Sequence, residues 1–155
     1  MPNGGFMNVE IDDARLKQAF GDLIARGENF TPLTEEIANH LYNLTDEAFD
    51  VESSYTGTPW ARLSDSTIKA KGHDKILHKE GDLRGSLYST ADSDGAYVGV
   101  NATANGYPYP AVHQFGTQEG KVPARPFLPF NEHGDVYDPV IDEIVEMVKD
   151  YLMEG

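Results

Sequence analysis

Apolar residues recur every three or four positions in three stretches of the chain, and this spacing predicts three amphipathic helices. The helices are expected over about residues 12–26, 32–52 and 139–153, with polar residues on their other faces. The apolar stripes are Ile11, Ala14, Leu16, Ala19, Phe20, Leu23 and Ile24 in the first helix; Ile37, Ala38, Leu41, Leu44, Ala48 and Phe49 in the second; and Ile141, Ile144, Val145, Val148 and Leu152 in the third.

The residues at the ends of these stretches agree with the proposed boundaries. Gly27 is placed to end the first helix in a left-handed conformation. Thr31-Pro32 and Asp138-Pro139 each combine an N-cap residue with a proline, which is tolerated in the first turn of a helix.

Between the second and third helices the pattern changes to short elements separated by turn residues. Ser64 is a suitable N-cap for a short helix over about residues 65–71. Strands are expected over about residues 84–91 and 96–101, joined by the turn sequence Asp92-Ser93-Asp94-Gly95. Helices at both ends with a β-hairpin between them indicate the α+β class.

The segment after the hairpin is rich in proline. Residues 107–110, Tyr-Pro-Tyr-Pro, are expected to be extended, because a residue that precedes proline avoids the helical region. Residues 111–115 suit either one helical turn or a short strand. Residues 125–129 are expected to form an edge strand or an extended arm, because proline cannot donate to a sheet.

Length and composition place the chain among single-domain globular proteins. The 155 residues form one domain with a helical part at 10–52, a mixed part at 53–130 and a final helix at about 139–153. The absence of cysteine excludes disulfides, thiolate zinc sites and cysteine catalysis. No apolar run approaches the ~20 residues of a membrane span, and the first residues do not resemble a signal peptide. We therefore expect no membrane partner, and synthesis in the cytoplasm.

The net charge of −14 is concentrated at the two ends of the chain. Residues 1–52 carry 11 acidic and 3 basic residues, residues 53–134 carry 8 of each, and residues 135–155 carry 7 and 1. Such a field repels phosphate backbones, so nucleic-acid binding is not expected. The acidic ends suit a solvated surface, or alternatively a DNA mimic or an acidic docking face.

The basic residues concentrate in the middle of the chain. One interpretation is that they are ordinary surface cations. The other is that they form a basic patch that meets an acidic end of a neighbouring copy of the chain. The residues concerned are Lys69, Lys71, Lys75, Lys79 and Arg84.

The chain lacks the common motifs of enzymes and nucleotide-binding proteins. No glycine-rich phosphate loop and no Gly-x-Ser-x-Gly motif occurs, so no cofactor is expected. His73, His78 and His113 could serve a small metal-dependent hydrolase. However, the spacing of His73 and His78 matches no common zinc motif, and the lysines around them would repel a cation. A protein without a catalytic or metal site is therefore favoured.

Residues 122–130 instead favour an interaction or assembly protein. This segment contains three prolines, two phenylalanines and one arginine. A proline-stiffened arm loses little entropy on binding, so it could present Arg125 and Phe127 to a neighbouring subunit. Alternatively, Arg125 fixes its own loop. Trp60, the single tryptophan, is expected to anchor its loop on the core or else to act as an interface residue.

Four blocks of sequence, in order, resemble the phage virion morphogenesis family, the Mu-like tail completion proteins. The resemblance covers roughly residues 45–153, and Pro110 interrupts the Tyr-Ala pair expected in the last block. The blocks are Trp60-Ala61-Arg62-Leu63-Ser64-Asp65-Ser66-Thr67; Ile76-Leu77 with Gly81-Asp82-Leu83-Arg84-Gly85-Ser86-Leu87; Tyr97-Val98-Gly99-Val100; and Tyr109 to Gly116, including His113-Gln114-Phe115-Gly116, followed by Val122-Pro123-Ala124-Arg125-Pro126-Phe127-Leu128.

The resemblance implies a small antiparallel sheet flanked by N-terminal helices and a C-terminal helix. It also implies a non-enzymatic virion protein, made in the host bacterium, that completes the tail or joins it to the head. Homo-oligomers, including a ring, and contacts with other tail or connector proteins would then be expected. The candidate interface residues are Trp60, His113, Phe115, Arg125 and Phe127.

Overall fold

Among the residues that the structure describes, the chain forms five helices and one small sheet. This computed structural model describes residues 6–8, 14, 18, 21, 25, 29–77, 82–92, 95–101, 109–117, 122–131 and 135–154. The α+β class is confirmed. In chain order the elements are β1 (Phe6–Asn8), α1 (Thr31–Val51), α2 (Asp65–Lys71), α3 (Asp82–Gly85), β2 (Leu87–Ala91), β3 (Ala96–Asn101), α4 (Tyr109–Phe115) and α5 (Asp138–Glu154).

The sheet is antiparallel, in the order β1-β3-β2. The predicted hairpin is confirmed, with Leu87 opposite Val100 in β2 and β3. At its turn the Asp92 amide donates to the Gly95 carbonyl at 3.0 Å, and the Gly95 amide donates to the Asp92 carboxylate at 2.9 Å. The side chain of Asp92 therefore closes the turn, as its residue type suggests.

The first strand of the hairpin begins later than the sequence predicts. Residues 84 and 85 belong to α3, because Leu83 is buried and Arg84 reaches back to α1. The amide and hydroxyl of Ser86 both donate to the Leu83 carbonyl, at 3.2 and 2.8 Å, and end this helical turn. A helical turn held by these tertiary contacts therefore occupies the positions predicted to begin the strand.

The long helix α1 contacts both the sheet and α5. Its predicted apolar stripe is buried in most positions, including Ile37, Leu41 and Phe49. The prediction that Thr31 is the N-cap is wrong: Phe30 is the N-cap and its side chain makes no capping hydrogen bond, whereas the Thr31 amide donates to the Asn29 side-chain oxygen at 3.2 Å. At the other end Glu52 takes a left-handed conformation (φ 52°), and its amide donates to the Ala48 carbonyl.

Helix α2 has the predicted boundaries, and Ser64 accepts a hydrogen bond from the Thr67 amide at 3.3 Å as its N-cap. The extended conformation predicted for Tyr109 and Pro110 is wrong, because both lie in α4. Of the two alternatives for residues 111–115, the helix is correct. A helix accepts proline in its first turn, where the amide of that position has no intrahelical partner.

The last helix, α5, confirms the clearest pattern in the sequence. It runs antiparallel to α1, because Tyr151 near its end donates to the carbonyl of Asn29 before α1, at 2.6 Å. Nearer its start, Glu143 pairs with His40 of α1 at 2.5 Å. Val140, Ile144 and Val148 are buried in the common core.

Some sequence predictions fall outside the described part of the chain. Of the predicted helix at residues 12–26, the structure describes Ala14, Gln18, Gly21 and Ala25, which are helical and exposed. Its other residues lie outside the described ones, as do residues 107 and 108, His78 and Lys79.

Candidate functional site

The proline-rich residues 122–130, named here the signature arm, neither form a strand nor project from the protein. Predictions of an edge strand at residues 125–129 are therefore wrong. Most of the second half of the arm is buried, including Phe127, Leu128 and Phe130. Because prolines leave the backbone of the arm with few donors, the arm must find its hydrogen-bond partners outside a sheet.

The Arg125 amide donates to the His113 carbonyl at 2.7 Å, and the partner of the Phe127 and Leu128 amides is Gln114 of α4. Its side-chain oxygen accepts from the amides of Phe127 and Leu128, both at 3.0 Å. Its side-chain nitrogen is 3.5 Å from the carbonyls of Leu128 and Phe130. Gln114 is only 2% exposed, so one amide side chain takes the place of a neighbouring strand inside the core.

The backbone between α4 and the arm makes a tight turn at Gly116, whose φ is 74°. A β-carbon at this position would lie 2.8 Å from the Ala124 nitrogen and 2.9 Å from the Val122 oxygen. Across the turn, the Thr117 amide donates to the Val122 carbonyl at 3.0 Å. Gly116 therefore meets two requirements that other residues do not, a left-handed conformation and a close backbone contact.

Trp60 fixes the arm from the opposite side. Its indole N–H donates to the Pro126 carbonyl at 2.8 Å. The ring of Phe49 packs edge-on against Trp60 at 5.7 Å between centroids and against Phe127 at 5.5 Å. Trp60 thus has the core-anchoring role that was one of its two predicted alternatives, and Phe127 is buried beside it.

Arg125 fixes its own part of the chain, the second of its two predicted roles. Its Nε donates to the Ala61 carbonyl at 2.8 Å, and its Nη2 lies 3.5 Å from the Arg62 carbonyl. The residue is only 8% exposed, and this burial lowers the pKa of the guanidinium. Arg125 therefore links the arm to residues 61 and 62 rather than extending toward solvent.

The remaining two interface candidates lie next to each other at the end of α4. Phe115 is 42% exposed, and its ring is 5.9 Å from that of Phe130. His113 is half-buried, and its pKa is lowered by burial and by the positive charges of Arg125 and Lys71. Among the five candidates, Phe115 is the most exposed.

Beside the arm, Phe115 and Trp60 border a cleft of about 380 Å³. None of its described lining residues carries a charge. The lining consists of Ser54, Thr56, Thr58, Pro59, Trp60, Gln114, Phe115, Ala124, Pro126, Phe130, Asn131 and Tyr137. In a chain with a net charge of −14, this is a locally neutral surface.

The basic residues predicted to form one patch are divided in the structure. Arg84 lies 2.9 Å from Asp46 and 2.8 Å from Asp50, and hydrogen bonds to these carboxylates raise the pKa of Arg84. It is also 5.8 Å from the Phe49 ring. Arg84 therefore holds α3 against α1, whereas Lys69, Lys71 and Lys75 remain together around the end of α2.

The described histidines do not form a metal centre. His73 accepts from the Lys75 amide at 3.2 Å, and His113 lies beside two cations. His78 is outside the described residues. Within the described part of the chain, no three His, Asp or Glu side chains are placed to hold a metal ion. In the same part, no helix is long and apolar enough to cross a membrane.

Comparisons with known proteins agree with the resemblance seen in the sequence. Residues 11–152 match the phage virion morphogenesis family, so the match also includes N-terminal residues in which no motif was recognised. The chain is 32% identical to Mu-like prophage FluMu G protein 1 of Haemophilus influenzae over 136 residues, which is 83% of this chain and 88% of that protein. No solved structure matches the chain.

Proposed function

The chain belongs to the phage virion morphogenesis family, and we propose that it is a non-enzymatic structural protein that completes the tail or joins it to the head. It would act in the assembling virion after synthesis in the host cytoplasm. The observation that carries this proposal is the family match over residues 11–152. The similarity to a Mu-like prophage protein over most of both chains supports the same role.

In this proposal the signature residues stabilise the fold, and the exposed surface makes the contacts with other proteins. Gln114, Gly116 and Arg125 use their polar or conformational properties to fix the signature arm. The hydrogen bonds and backbone contacts described for these three residues lie within the chain. Association with further copies and with other tail or connector proteins would then use the surface around the arm, including Phe115.

A stop codon in the gene, in the phage or prophage that carries it, tests this function. We expect induction to yield filled heads and tails that remain separate or have abnormal ends, as seen by negative-stain electron microscopy. A plasmid copy of the gene should restore complete particles. Normal virions in normal number without the protein would contradict the proposal.

The role of Phe115 has a separate test. Phe115→Ser removes an exposed apolar group, so the free energy of unfolding should change little while complementation of the stop mutant falls. Val51→Ser is the matched control, since Val51 is 57% exposed on α1. Equal complementation by both variants would exclude Phe115 as a contact.

The alternative of a metal-dependent hydrolase is addressed by metal analysis of protein purified without added metal. Arg125 and Lys71 lower the pKa of His113, and the same charges oppose a bound cation. We expect no stoichiometric zinc or manganese. A tightly bound equivalent of either metal would favour the hydrolase.

A further inference from the structure

The surface around the end of α2 contains a group of cations that the described residues neutralise incompletely. Four charged residues are connected there: Arg125 is 3.5 Å from the Arg62 carbonyl, Arg62 is 3.1 Å from Glu52, and Glu52 accepts from the Ile76 amide beside Lys75, whose carbonyl accepts from Lys71. Three of the four are basic and one is acidic. We name Arg62, Lys71 and Arg125 the cation cluster.

The single carboxylate of this group is already engaged. One oxygen of Glu52 contacts Arg62 at 3.1 Å, and the other accepts from the Ile76 amide at 2.6 Å. Lys71 donates to the Lys75 carbonyl at 2.7 Å. Among the described residues, the hydrogen bonds of Lys71 and Arg125 therefore go to carbonyl oxygens, and neither side chain has a carboxylate in contact.

Two cations near each other without a carboxylate in contact favour an incoming anion. The pKa of Lys71 is lowered by burial and by the charge of Arg125, and Glu52 offsets this only in part. Arg125 is nine-tenths buried, so its charge is poorly hydrated. A carboxylate placed against Lys71 at the surface would be attracted by the charge of Lys71 and also by that of the buried Arg125.

The same chain exposes suitable carboxylates on α5. Asp142, Glu146 and Asp150 follow each other at intervals of four residues, so they form one row along the helix. All three side chains are exposed. The one basic residue of α5, Lys149, lies 3.5 Å from Glu146 in an exposed ion pair, which is a weak interaction and leaves the row acidic. In the described structure, no ion pair joins this acidic row to the cation cluster.

We propose that the cation cluster binds the acidic row of α5 from a second copy of this chain. The inference rests on the proposed function, in which copies of the protein associate during assembly. Because the two surfaces differ, the contact is heterologous, and each copy can use both surfaces at once. Repetition of such a contact gives a ring if the rotation closes and a filament if it does not.

Charge reversal on either surface tests the contact. The double variants Arg62→Glu/Lys71→Glu and Glu146→Lys/Asp150→Lys should each weaken self-association of the full chain at least about tenfold, measured by light scattering across a concentration series. Lys149→Glu is the matched control: it makes the same substitution on the acidic face and should not weaken association. Circular dichroism and thermal unfolding establish that all variants are folded.

Mixing the two reversed proteins gives the sharper result. The Arg62→Glu/Lys71→Glu surface of one protein, in which acidic residues outnumber Arg125, fits the basic α5 row of the other, and the two unchanged surfaces fit each other as well. We therefore expect an equimolar mixture to recover assemblies in which the two proteins alternate. Failure of the mixture to associate, or unchanged association of either variant alone, would overturn the inference.

The outcomes separate this contact from the proposed function. A wild-type chain that stays monomeric over the concentration series would also overturn the contact. The stop-codon experiment would still decide the function independently. Association that is unaffected by either reversal but depends on added nucleic acid or another phage protein would assign the cation cluster to that partner instead.

Discussion

The signature arm and the α1–α5 helix pair stabilise the same hydrophobic core by different means. The arm depends on a few directional hydrogen bonds, among them the four contacts of Gln114. The helix pair contributes aliphatic side chains to the core, with ion pairs only at its exposed edge. A hydrogen bond is lost when one atom is removed, whereas apolar stabilisation scales with buried area. We therefore expect the loss of one polar side chain that holds the arm to cost more than the loss of one methylene in the helices.

The largest effect is expected from Gln114→Ala. The change removes the acceptor of the Phe127 and Leu128 amides inside the core. Each buried donor left without a partner costs about 1–3 kcal/mol, so the free energy of unfolding should fall by roughly 2–6 kcal/mol in urea denaturation. Gln18→Ala, at an exposed helical position, should change it by about 0.5 kcal/mol or less. Equal effects would mean that Gln114 does not hold the arm.

Gly116→Ala should have the next largest effect. A left-handed alanine costs roughly 1–2 kcal/mol, and the new β-carbon would also displace the backbone of Ala124. Gly57→Ala is the matched control, because Gly57 has a φ of 87° but no atom within 4 Å of the added carbon. The excess loss at Gly116, about 1–3 kcal/mol, measures the close contact of the turn. Similar losses at both glycines would show that the close contact with Ala124 does not require glycine at position 116.

A substitution in the helix pair should cost less. Ile144→Val removes one methylene from a fully buried position on α5 and keeps the apolar surface continuous. The free energy of unfolding should fall by about 0.5–1.5 kcal/mol. Urea denaturation compares this value directly with Gln114→Ala. A loss as large as that of Gln114→Ala would contradict the distinction between the two regions.

The smallest expected effect is the pH dependence of the free energy of unfolding that comes from His113 of α4. Burial, Arg125 and Lys71 lower the pKa of His113 below its ordinary value of 6.5 in the folded chain. The unfolded chain therefore binds more protons in the window between the two values. Stability should fall as the pH decreases from 6.5 toward the folded-state pKa.

His113→Gln tests that linkage. The variant should lose this part of the pH dependence, whereas the wild type should lose more stability between about pH 7.5 and about pH 5.5. Urea denaturation at both values gives the comparison. The same slope in both proteins would show that His113 contributes no linkage.

The sequence predicted the helices well because their spacing is a local property. Helix α5 follows from Ile141, Ile144 and Val148, which lie at intervals that put them on one face. The cap at Ser64 and the turn at Asp92 also depend on residues a few positions apart. Thr31 was a wrong N-cap because its residue type permits capping without requiring it.

The candidate site was less predictable, because its partners are distant in the sequence. Proline and arginine in residues 122–130 suggested an extended arm that presents Arg125 and Phe127 to a neighbouring subunit, or else an arginine that fixes its own loop. Trp60 and Arg125 contact residues more than 60 positions away, and no local pattern gives those pairs. Gln114 was part of the recognised signature, yet its four contacts could not be inferred from a single glutamine in a short helix.

By itself, the sequence determined the α+β class, most helix boundaries and the family, since these depend on periodicity and on contiguous motifs. Tertiary structure decided the use of each signature side chain. Gln114 replaces a strand, Gly116 permits a close turn and Arg125 links the arm to residues 61 and 62. The physical reason is that a buried backbone must satisfy its hydrogen bonds, and only the folded chain determines which side chain is near enough to do so.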